Sequence, residues 1–223
     1  MTYSDARERL LRSLRREIRD VRVLDAIAAV PRELFVPPAA AGQAYDDAAL
    51  AIGEGQTISQ PLMVAIMLEV LDVQPTDAVL DVGTGSGYQA ALLSKLAARV
   101  VSVERLAVLA ERARRALRQG GFANVDVREA GLVAGCPEEA PFDRIVVGAA
   151  APAVPRSLID QLRLGGRLVI PVGTPFRQYL ARVTRTEDGT DVSWHGACRF
   201  VPLIGVEGWS SDAAALPPDE HVT

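Results

Sequence analysis

Short runs of consecutive apolar residues alternate with amphipathic segments through the middle of this 223-residue chain. Runs in which nearly every position is apolar are typical of strands buried on both faces, as in a parallel sheet covered by helices. The pattern predicts strands at Ala78–Val82, Val100–Val103, Val125–Arg128, Arg144–Val147 and Arg167–Val172. It predicts helices at Pro61–Leu71, Tyr88–Ala97, Leu106–Gln119 and Arg156–Leu162. This alternation predicts an α/β fold built on a doubly wound, mostly parallel sheet.

The two ends of the chain follow other patterns. From about Ser4 to Ala29, leucine, isoleucine and valine recur at helical spacing, which predicts an N-terminal helical layer. The next segment, up to Pro61, is rich in glycine and proline and has no clean periodicity, as is common for functional loops. Beyond Gly173 the residue pattern is typical of strands. It predicts C-terminal antiparallel strands at Tyr179–Thr184 and Asp191–Trp194, followed by an extended run at Arg199–Leu203.

Composition narrows the class of protein. Lysine and arginine total 24 against 28 aspartate and glutamate, a net charge of −4, which disfavours broad binding to a nucleic-acid backbone. No stretch approaches the ~18 apolar residues that a membrane span requires. The two cysteines have no CxxC spacing, so we expect no metal site. These observations predict a soluble cytoplasmic protein without a membrane or nucleic-acid partner.

A glycine-rich loop is the strongest local signal. Gly83-Thr84-Gly85-Ser86-Gly87 lies where the first buried strand passes into a helix, so its backbone can approach a ligand at the helix N-terminus. Glu104 ends the second strand, about twenty residues further on, where a nucleotide-binding fold places the carboxylate that accepts ribose hydroxyls. The sequence therefore predicts a nucleoside cofactor, although a glycine turn without a ligand remains the alternative.

The details of the loop favour S-adenosylmethionine over NAD. A dinucleotide loop requires a third glycine where Tyr88 stands, and a phosphate-binding loop requires a Lys-Ser/Thr pair that is missing. Asp81, which leads into the loop, would repel a pyrophosphate but suits a sulfonium or ammonium cation. An equally weighted reading of Asp81 is a strand-end carboxylate satisfied by the loop amides.

With this loop in place, the chain resembles the protein-L-isoaspartate O-methyltransferase family. The resemblance extends from about Val23 to Gly205. Its most specific part is GQTISQP, which begins at Gly55; the other matching runs are VPRELFVP, AYDD, PEEAPFD, GGRLVIPVG and RFVPL. It implies a Rossmann-like methyltransferase sheet and the transfer of a methyl group from S-adenosylmethionine to the free α-carboxylate of an L-isoaspartyl residue.

Site residues follow from the same resemblance. It implies an acceptor site at Thr57, Ile58 and Ser59, with the Ser59 hydroxyl beside the carboxylate as the catalytic group. It implies that Ala149, Ala150 and Pro152 belong to a loop that frames the substrate peptide. The cofactor-binding set comprises Asp81, Gly83, Thr84, Gly85, Ser86, Gly87, Glu104 and Gly131.

Departures from the family pattern suggest a divergent member. Gly131 stands where the family commonly has an aspartate that contacts adenine, and the loss of this acceptor is expected to weaken cofactor binding about tenfold to a hundredfold. Glu129 is a possible substitute. The other departures are Gly148 for a threonine, Cys136 for a tryptophan, and Ala48-Ala49 for an Arg-Pro-like pair.

The proposed chemistry requires little from the protein beyond positioning. A carboxylic acid with a pKa near ~4 is already an anion at neutral pH, so its methylation needs no general base. The Ser59 hydroxyl can orient this anion by donating a hydrogen bond. From spacing alone, the N-cap of the following helix is the favoured role for Ser59, and the resemblance reverses this preference.

We expect one compact domain and a monomer. Its parts are a helical and substrate-binding segment at 1–77, a cofactor-binding core at 78–173, a strand addition at 174–210 and a flexible tail at 211–223. The expected partner is a peptide or protein that carries isoaspartate or aspartate. Three alternatives remain: a relative that methylates a normal aspartate in natural-product tailoring, a degenerate non-catalytic scaffold and, least favoured, a nicotinamide dehydrogenase.

Overall fold

The predicted N-terminal helical layer consists of two helices, α1 (Tyr3–Leu14) and α2 (Val21–Ala29). The computed structural model describes residues 2–210, and the tail expected at 211–223 lies outside the described residues. The helices separate because Asp20 caps α2 by accepting the backbone N–H of Arg22 at 2.9 Å. Glu69 fixes the break by accepting the backbone N–H groups of Arg19 and Asp20.

The glycine- and proline-rich segment contains a short hairpin that its sequence pattern did not reveal. β1 (Leu50–Gly53) pairs antiparallel with β2 (Gln56–Ile58), and helix α3 (Pro61–Leu71) follows with the bounds that the sequence predicts. The hairpin turns through three consecutive residues with positive φ, Gly53, Glu54 and Gly55. This turn delivers Thr57 and Ser59 to the start of α3.

Seven strands form the main sheet in the spatial order β5-β4-β3-β6-β7-β8-β9. The parallel strands are β3 (Ala78–Val82), β4 (Arg99–Glu104), β5 (Val125–Glu129), β6 (Phe142–Val147) and β7 (Leu162–Gly173). The antiparallel strands at one end are β8 (Gln178–Thr186) and β9 (Gly189–Cys198). These strands confirm the predicted fold class, a mostly parallel doubly wound sheet with an antiparallel addition.

Helices cover both faces of this sheet, as its consecutive apolar residues require. The remaining helices are α4 (Tyr88–Ser94), α5 (Ala107–Gln119) and α6 (Arg156–Asp160). One apolar cluster joins α1 to α5 with one face of the sheet, and a second joins α6 with the other face. Adjacent β3 residues point to opposite faces, and both Val79 and Leu80 are fully buried, which explains the absence of an alternating pattern in the sequence.

The strand order places a crevice at the carboxyl ends of the parallel strands. β4 and β5 lie on one side of β3 while β6 and β7 lie on the other, so the loops after β3 and β6 diverge there. The chain after β9 crosses this same edge. The extended run predicted at 199–203 forms an isolated bridge between Ala150 and Pro202 instead of a regular strand.

Candidate active site

The glycine loop between β3 and α4 adopts a conformation that side chains disfavour. Gly83, Gly85 and Gly87 have φ angles of 92°, 54° and 90°, in the left-handed region that glycine adopts at little cost. Gly87 also packs closely against α5, since a Cβ at this position would lie 3.2 Å from the Cβ of Ala113. These constraints hold the loop open at the crevice, where Gly83 and Gly85 line a cavity.

Glu104 lies beside this loop at the end of β4. Its side chain is largely buried, and its two carboxylate oxygens accept the backbone N–H groups of Gly85 at 2.8 Å and Leu106 at 2.9 Å. Each oxygen keeps a further acceptor site. A carboxylate fixed in this way fits the vicinal hydroxyls of a ribose, so these residues suit a nucleoside cofactor.

The cavity beside Gly83 and Glu104 has a volume of about 260 Å³ and a mostly apolar far end. Gly131 lines it, at the place where the resemblance implies adenine. Glu129 is exposed and is absent from the wall, so its position gives no support to a substitute role. The second carboxylate on the wall belongs to Glu207, in a C-terminal segment that the sequence analysis did not assign to the site.

The acceptor residues lie on the other side of the glycine loop. Thr57, Ser59 and Arg199 line an open cleft of about 520 Å³. A small cavity of about 40 Å³, lined by Ser59, Ile58 and the glycine loop, lies between the cleft and the cofactor cavity. Thr57 and Gly148 line all three spaces, namely the cofactor cavity, the small cavity and the acceptor cleft. The predicted acceptor and cofactor residues therefore meet in one crevice.

The Ser59 hydroxyl has no hydrogen-bond partner within residues 2–210, and its role as a helix cap is wrong. Gln60 occupies the N-cap position of α3 and makes no side-chain cap bond. Asp47 supplies the cap instead, since its carboxylate accepts the backbone N–H of Leu62 at 2.9 Å and the Gln60 side-chain amide at 3.0 Å. No local pattern in the sequence indicates this contact, because Asp47 and Leu62 are 15 residues apart.

Asp81 lies beneath the loop, and the structure matches neither reading of it. Its fully buried carboxylate accepts the Gln89 side-chain amide at 2.8 Å and the Ser102 hydroxyl at 2.7 Å, and it lines none of the three spaces. Ser102 also hydrogen-bonds to Thr84. Burial, and to a lesser degree the charge of Glu104, raises the pKa of Asp81 to about 6 against these hydrogen bonds.

The three substrate-framing residues after β6 are not brought to the crevice. Ala149 and Ala150 are buried, and both backbone polar groups of Ala150 are used internally. Its N–H donates to Val201 at 2.8 Å, and its carbonyl oxygen accepts the N–H of Leu203 at 2.7 Å. Pro152 is exposed and lies off the cavity walls. Gly148 and residues 199–201, which follow β9, line the acceptor cleft instead.

The described residues also bear on metal binding and membrane insertion. Across residues 2–210, no three histidine, cysteine or acidic side chains form a cluster that could hold a metal ion. The described helices include none with both the length and the apolarity needed to cross a bilayer. His195 hydrogen-bonds to Ser193 at 2.9 Å and lies off the three spaces, and burial lowers its pKa.

Comparison with known proteins gives a consistent match over nearly the whole chain. The family model described as Protein-L-isoaspartate(D-aspartate) O-methyltransferase matches residues 5–208. A Geobacter metallireducens protein named Protein-L-isoaspartate O-methyltransferase is 49% identical over 215 residues, which cover 95% of this chain and 100% of the relative. Protein-L-isoaspartate O-methyltransferase 2 of Geotalea uraniireducens is 51% identical over 211 residues, or 93% of this chain and 97% of the relative.

Solved structures of similarly named proteins share the fold. A protein-L-isoaspartate O-methyltransferase superimposes with a TM-score of 0.81 at 29% identity, covering 91% of this chain and 67% of that one. A putative protein-L-isoaspartate O-methyltransferase from Plasmodium falciparum, in complex with S-adenosyl-L-homocysteine, gives a TM-score of 0.75 at 26% identity, covering 86% of this chain and 94% of that one.

Proposed function

The chain belongs to the protein-L-isoaspartate(D-aspartate) O-methyltransferase family, and we propose that it methylates the free α-carboxylate of isoaspartyl residues in peptides or proteins. S-adenosylmethionine, when bound, supplies an electrophilic methyl group on a sulfonium centre. The observation that carries the proposal is the small cavity lined by both Ser59 and the glycine loop, because it brings the acceptor and cofactor sides together.

The cofactor is assigned to the glycine-loop side of the crevice. Gly83 and Gly85 hold its amino-acid and ribose portions, and the Glu104 carboxylate accepts the ribose hydroxyls. Gly131 and the C-terminal segment would surround the adenine. Thr84 and Ser86 line the small cavity beside Ser59 and are absent from the wall of the cofactor cavity. Asp81 acts indirectly, through Gln89 and Ser102.

The acceptor side orients an anion that needs no deprotonation. Ser59 donates its hydroxyl hydrogen to the substrate carboxylate and holds one oxygen towards the sulfonium methyl. Tyr88 is the one titratable side chain on the wall of the small cavity, and burial raises its pKa, so it stays neutral at pH 7. Because the substrate carboxylate is already ionised, methyl transfer needs no general base on the wall of the small cavity.

The loss of charge during the reaction favours an enclosed site. An anion and a cation react to give a neutral ester and a thioether, so charge disappears towards the transition state. Exclusion of water therefore favours reaction, and positioning supplies most of the rate. Thr57 and Gly148, which separate the acceptor cleft from the cofactor cavity, form the walls of this enclosure.

A labelled-methyl assay tests the function. The acceptors are two peptides that differ only in an isoaspartyl or aspartyl residue, and lability of the product in base identifies an ester. We expect methylation of the isoaspartyl peptide alone. Ser59→Ala should lower kcat/KM by about tenfold to a hundredfold, as expected for a lost hydrogen bond to a charged group.

Binding of S-adenosylhomocysteine is the control for this variant. The affinity of Ser59→Ala for S-adenosylhomocysteine should equal that of the wild type, since Ser59 is assigned to the acceptor side. Unchanged turnover in Ser59→Ala would remove the assigned acceptor site. Methylation of the aspartyl peptide instead would favour the alternative that acts on normal aspartate, which no relative compared above supports.

We also infer that the enzyme acts as a monomer in the cytoplasm. A single chain supplies Ser59, the glycine loop, Glu104 and Gly148, so the site requires no second copy. Cys136 and Cys198 are free thiols, as is usual in a reducing compartment. Sedimentation of the purified protein at assay concentration should give the mass of one chain.

A further inference from the structure

Arg32 is a buried cation next to the acceptor residues. It begins the 3₁₀ helix Arg32–Phe35, and its side chain is completely inaccessible to solvent. Its Nη2 donates a hydrogen bond to the backbone carbonyl oxygen of Ser59 at 2.9 Å. Its guanidinium carbon lies 4.7 Å from the centroid of the Tyr88 ring. One side chain therefore contacts both the acceptor segment and the first residue after the glycine loop.

The contacts of Arg32 stabilise the fold poorly, because they leave a buried charge incompletely paired. Its Nε and Nη1 groups are buried and have no hydrogen-bond partner in the described structure. Arginine stays charged in proteins, and an incompletely paired buried charge generally stabilises less than apolar residues of similar volume would. The neighbouring Glu33 does not compensate, since its carboxylate pairs with Arg7 and accepts the Tyr45 hydroxyl. A buried arginine with these contacts is therefore better explained by a role in the site.

The contact at Ser59 explains what that role is. A hydrogen bond to the Ser59 carbonyl fixes the plane of the peptide between Ser59 and Gln60, and so limits the backbone rotation that aims the Ser59 side chain. Asp47 holds the other side of the same turn through the Leu62 N–H and the Gln60 amide. The Ser59 hydroxyl itself has no partner within residues 2–210, so its direction depends on the backbone held by these two side chains.

We propose that Arg32 is a positioning residue for methyl transfer, which fixes the Ser59 hydroxyl relative to the glycine loop by holding the Ser59 carbonyl while its guanidinium stacks on Tyr88. The inference rests on the proposed function, because it assigns Ser59 to the acceptor carboxylate. It places Arg32 outside the reacting atoms. Its effect is on the alignment of the acceptor with the bound cofactor, and cofactor affinity does not depend on it.

Two substitutions test this role. Arg32→Met keeps much of the apolar stem and removes both the hydrogen bond and the cationic stack. It should lower kcat/KM for the isoaspartyl peptide about tenfold to a hundredfold, the range expected for a hydrogen bond from a charged group. Arg32→Lys keeps a charged donor but loses the planar stack, and should recover part of this loss. S-adenosylhomocysteine should bind both variants within about twofold of wild type.

Thermal stability separates positioning from a structural role. Because Arg32 leaves two donors unsatisfied, the Tm of Arg32→Met should equal or exceed that of the wild type. Arg144→Met is the control, since the Arg144 side chain is also largely buried, with 12% exposure, but lies near the amino ends of the parallel strands, away from the crevice. Its Nε donates to the carbonyl oxygens of Leu71 and Asp72, both at 3.1 Å. This control should lower Tm and leave kcat/KM unchanged.

These measurements distinguish failure of the Arg32 inference from failure of the proposed function. If Arg32→Met folds and its kcat/KM equals that of the wild type, the positioning role is contradicted. A loss of activity accompanied by lower Tm and lower affinity for S-adenosylhomocysteine also contradicts it, because it indicates a structural role. If Arg32→Met does not fold, Arg32→Lys decides alone, and wild-type kcat/KM in that variant overturns the inference. Failure of the wild-type enzyme to methylate the isoaspartyl peptide contradicts the proposed function instead; any other accepted carboxylate then serves for the Arg32 comparison.

Discussion

At the scale of single residues, Gly131 stands where the resemblance to the family implies an aspartate beside adenine. It lines the cofactor cavity, its φ is not in the left-handed region, and a Cβ there would meet no atom within 4 Å. A side chain can therefore be added without strain. The position has room for the carboxylate that the resemblance implies for adenine.

Gly131→Asp should consequently bind S-adenosylhomocysteine more tightly. A new acceptor for the adenine amino group is expected to improve the affinity about tenfold to a hundredfold. Titration calorimetry measures the change, and Gly131→Ala is the control that adds bulk without an acceptor. Equal affinities for the aspartate and alanine variants would show that this part of the wall does not face adenine.

Asp81 gives the clearest pH dependence. Burial raises its folded-state pKa from 3.8 to about 6, so the folded protein holds this proton more tightly than the unfolded chain does. The contribution of Asp81 to stability is therefore most favourable below about pH 4 and falls as the pH rises to about 6.

Asp81→Asn should remove this loss of stability at rising pH. An asparagine can still accept the Gln89 amide and can donate to Ser102, which then donates to Thr84. The difference in the free energy of unfolding between Asp81→Asn and wild type should rise by ~2 kcal/mol from pH 4 to pH 7. Denaturant titrations at these two pH values measure it; a difference that does not vary with pH would contradict the raised pKa of Asp81.

At the scale of elements, the start of α3 distinguishes a structural residue from a functional one. Asp47 caps this helix while Ser59 does not. Asp47→Ala should lower the free energy of unfolding by ~1 kcal/mol, a typical cost for a lost cap. Ser59→Ala should change it by less than ~0.5 kcal/mol, the usual range for a side chain without such contacts. Urea denaturation compares the two variants, and the reverse order would restore Ser59 as the cap.

The sequence predicted elements well where one physical signal dominated. α3 and β3 have their predicted bounds, because a proline begins α3 and β3 is apolar at nearly every position. β1 and β2 were missed since strands this short, with half-buried patterns, carry little periodicity. β7 begins earlier than predicted, at Leu162, so α6 is correspondingly shorter. Leu162 pairs with Phe142, and the ladder is then irregular across Gly165-Gly166 until Arg167 pairs with Arg144.

The candidate site was predictable in part for a similar reason. Gly83, Gly85 and Glu104 follow from local rules about loops and strand ends, and they lie on one cavity as expected. Asp47 and Arg32 could not be found in this way, since each acts on a turn more than ten residues away in sequence. Their roles depend on tertiary contacts that leave no local pattern.

At the scale of the whole molecule, topology brings these residues together. The strand order reverses at β3, which opens the crevice beside the glycine loop, and β9 returns the chain to the same edge. The segment from Val201 to Gly208 then lines the cofactor cavity opposite Gly131. The N-terminal layer contributes Arg32 beneath Ser59. Each part of the chain thus supplies one wall of a single site.

A crystal structure of the protein with S-adenosylhomocysteine tests this arrangement most directly. The account predicts both ribose hydroxyls within hydrogen-bonding distance of the Glu104 carboxylate, and the thioether sulfur in the small cavity that Ser59 lines. A ligand bound elsewhere, or a Ser59 hydroxyl turned away from the sulfur, would contradict the account.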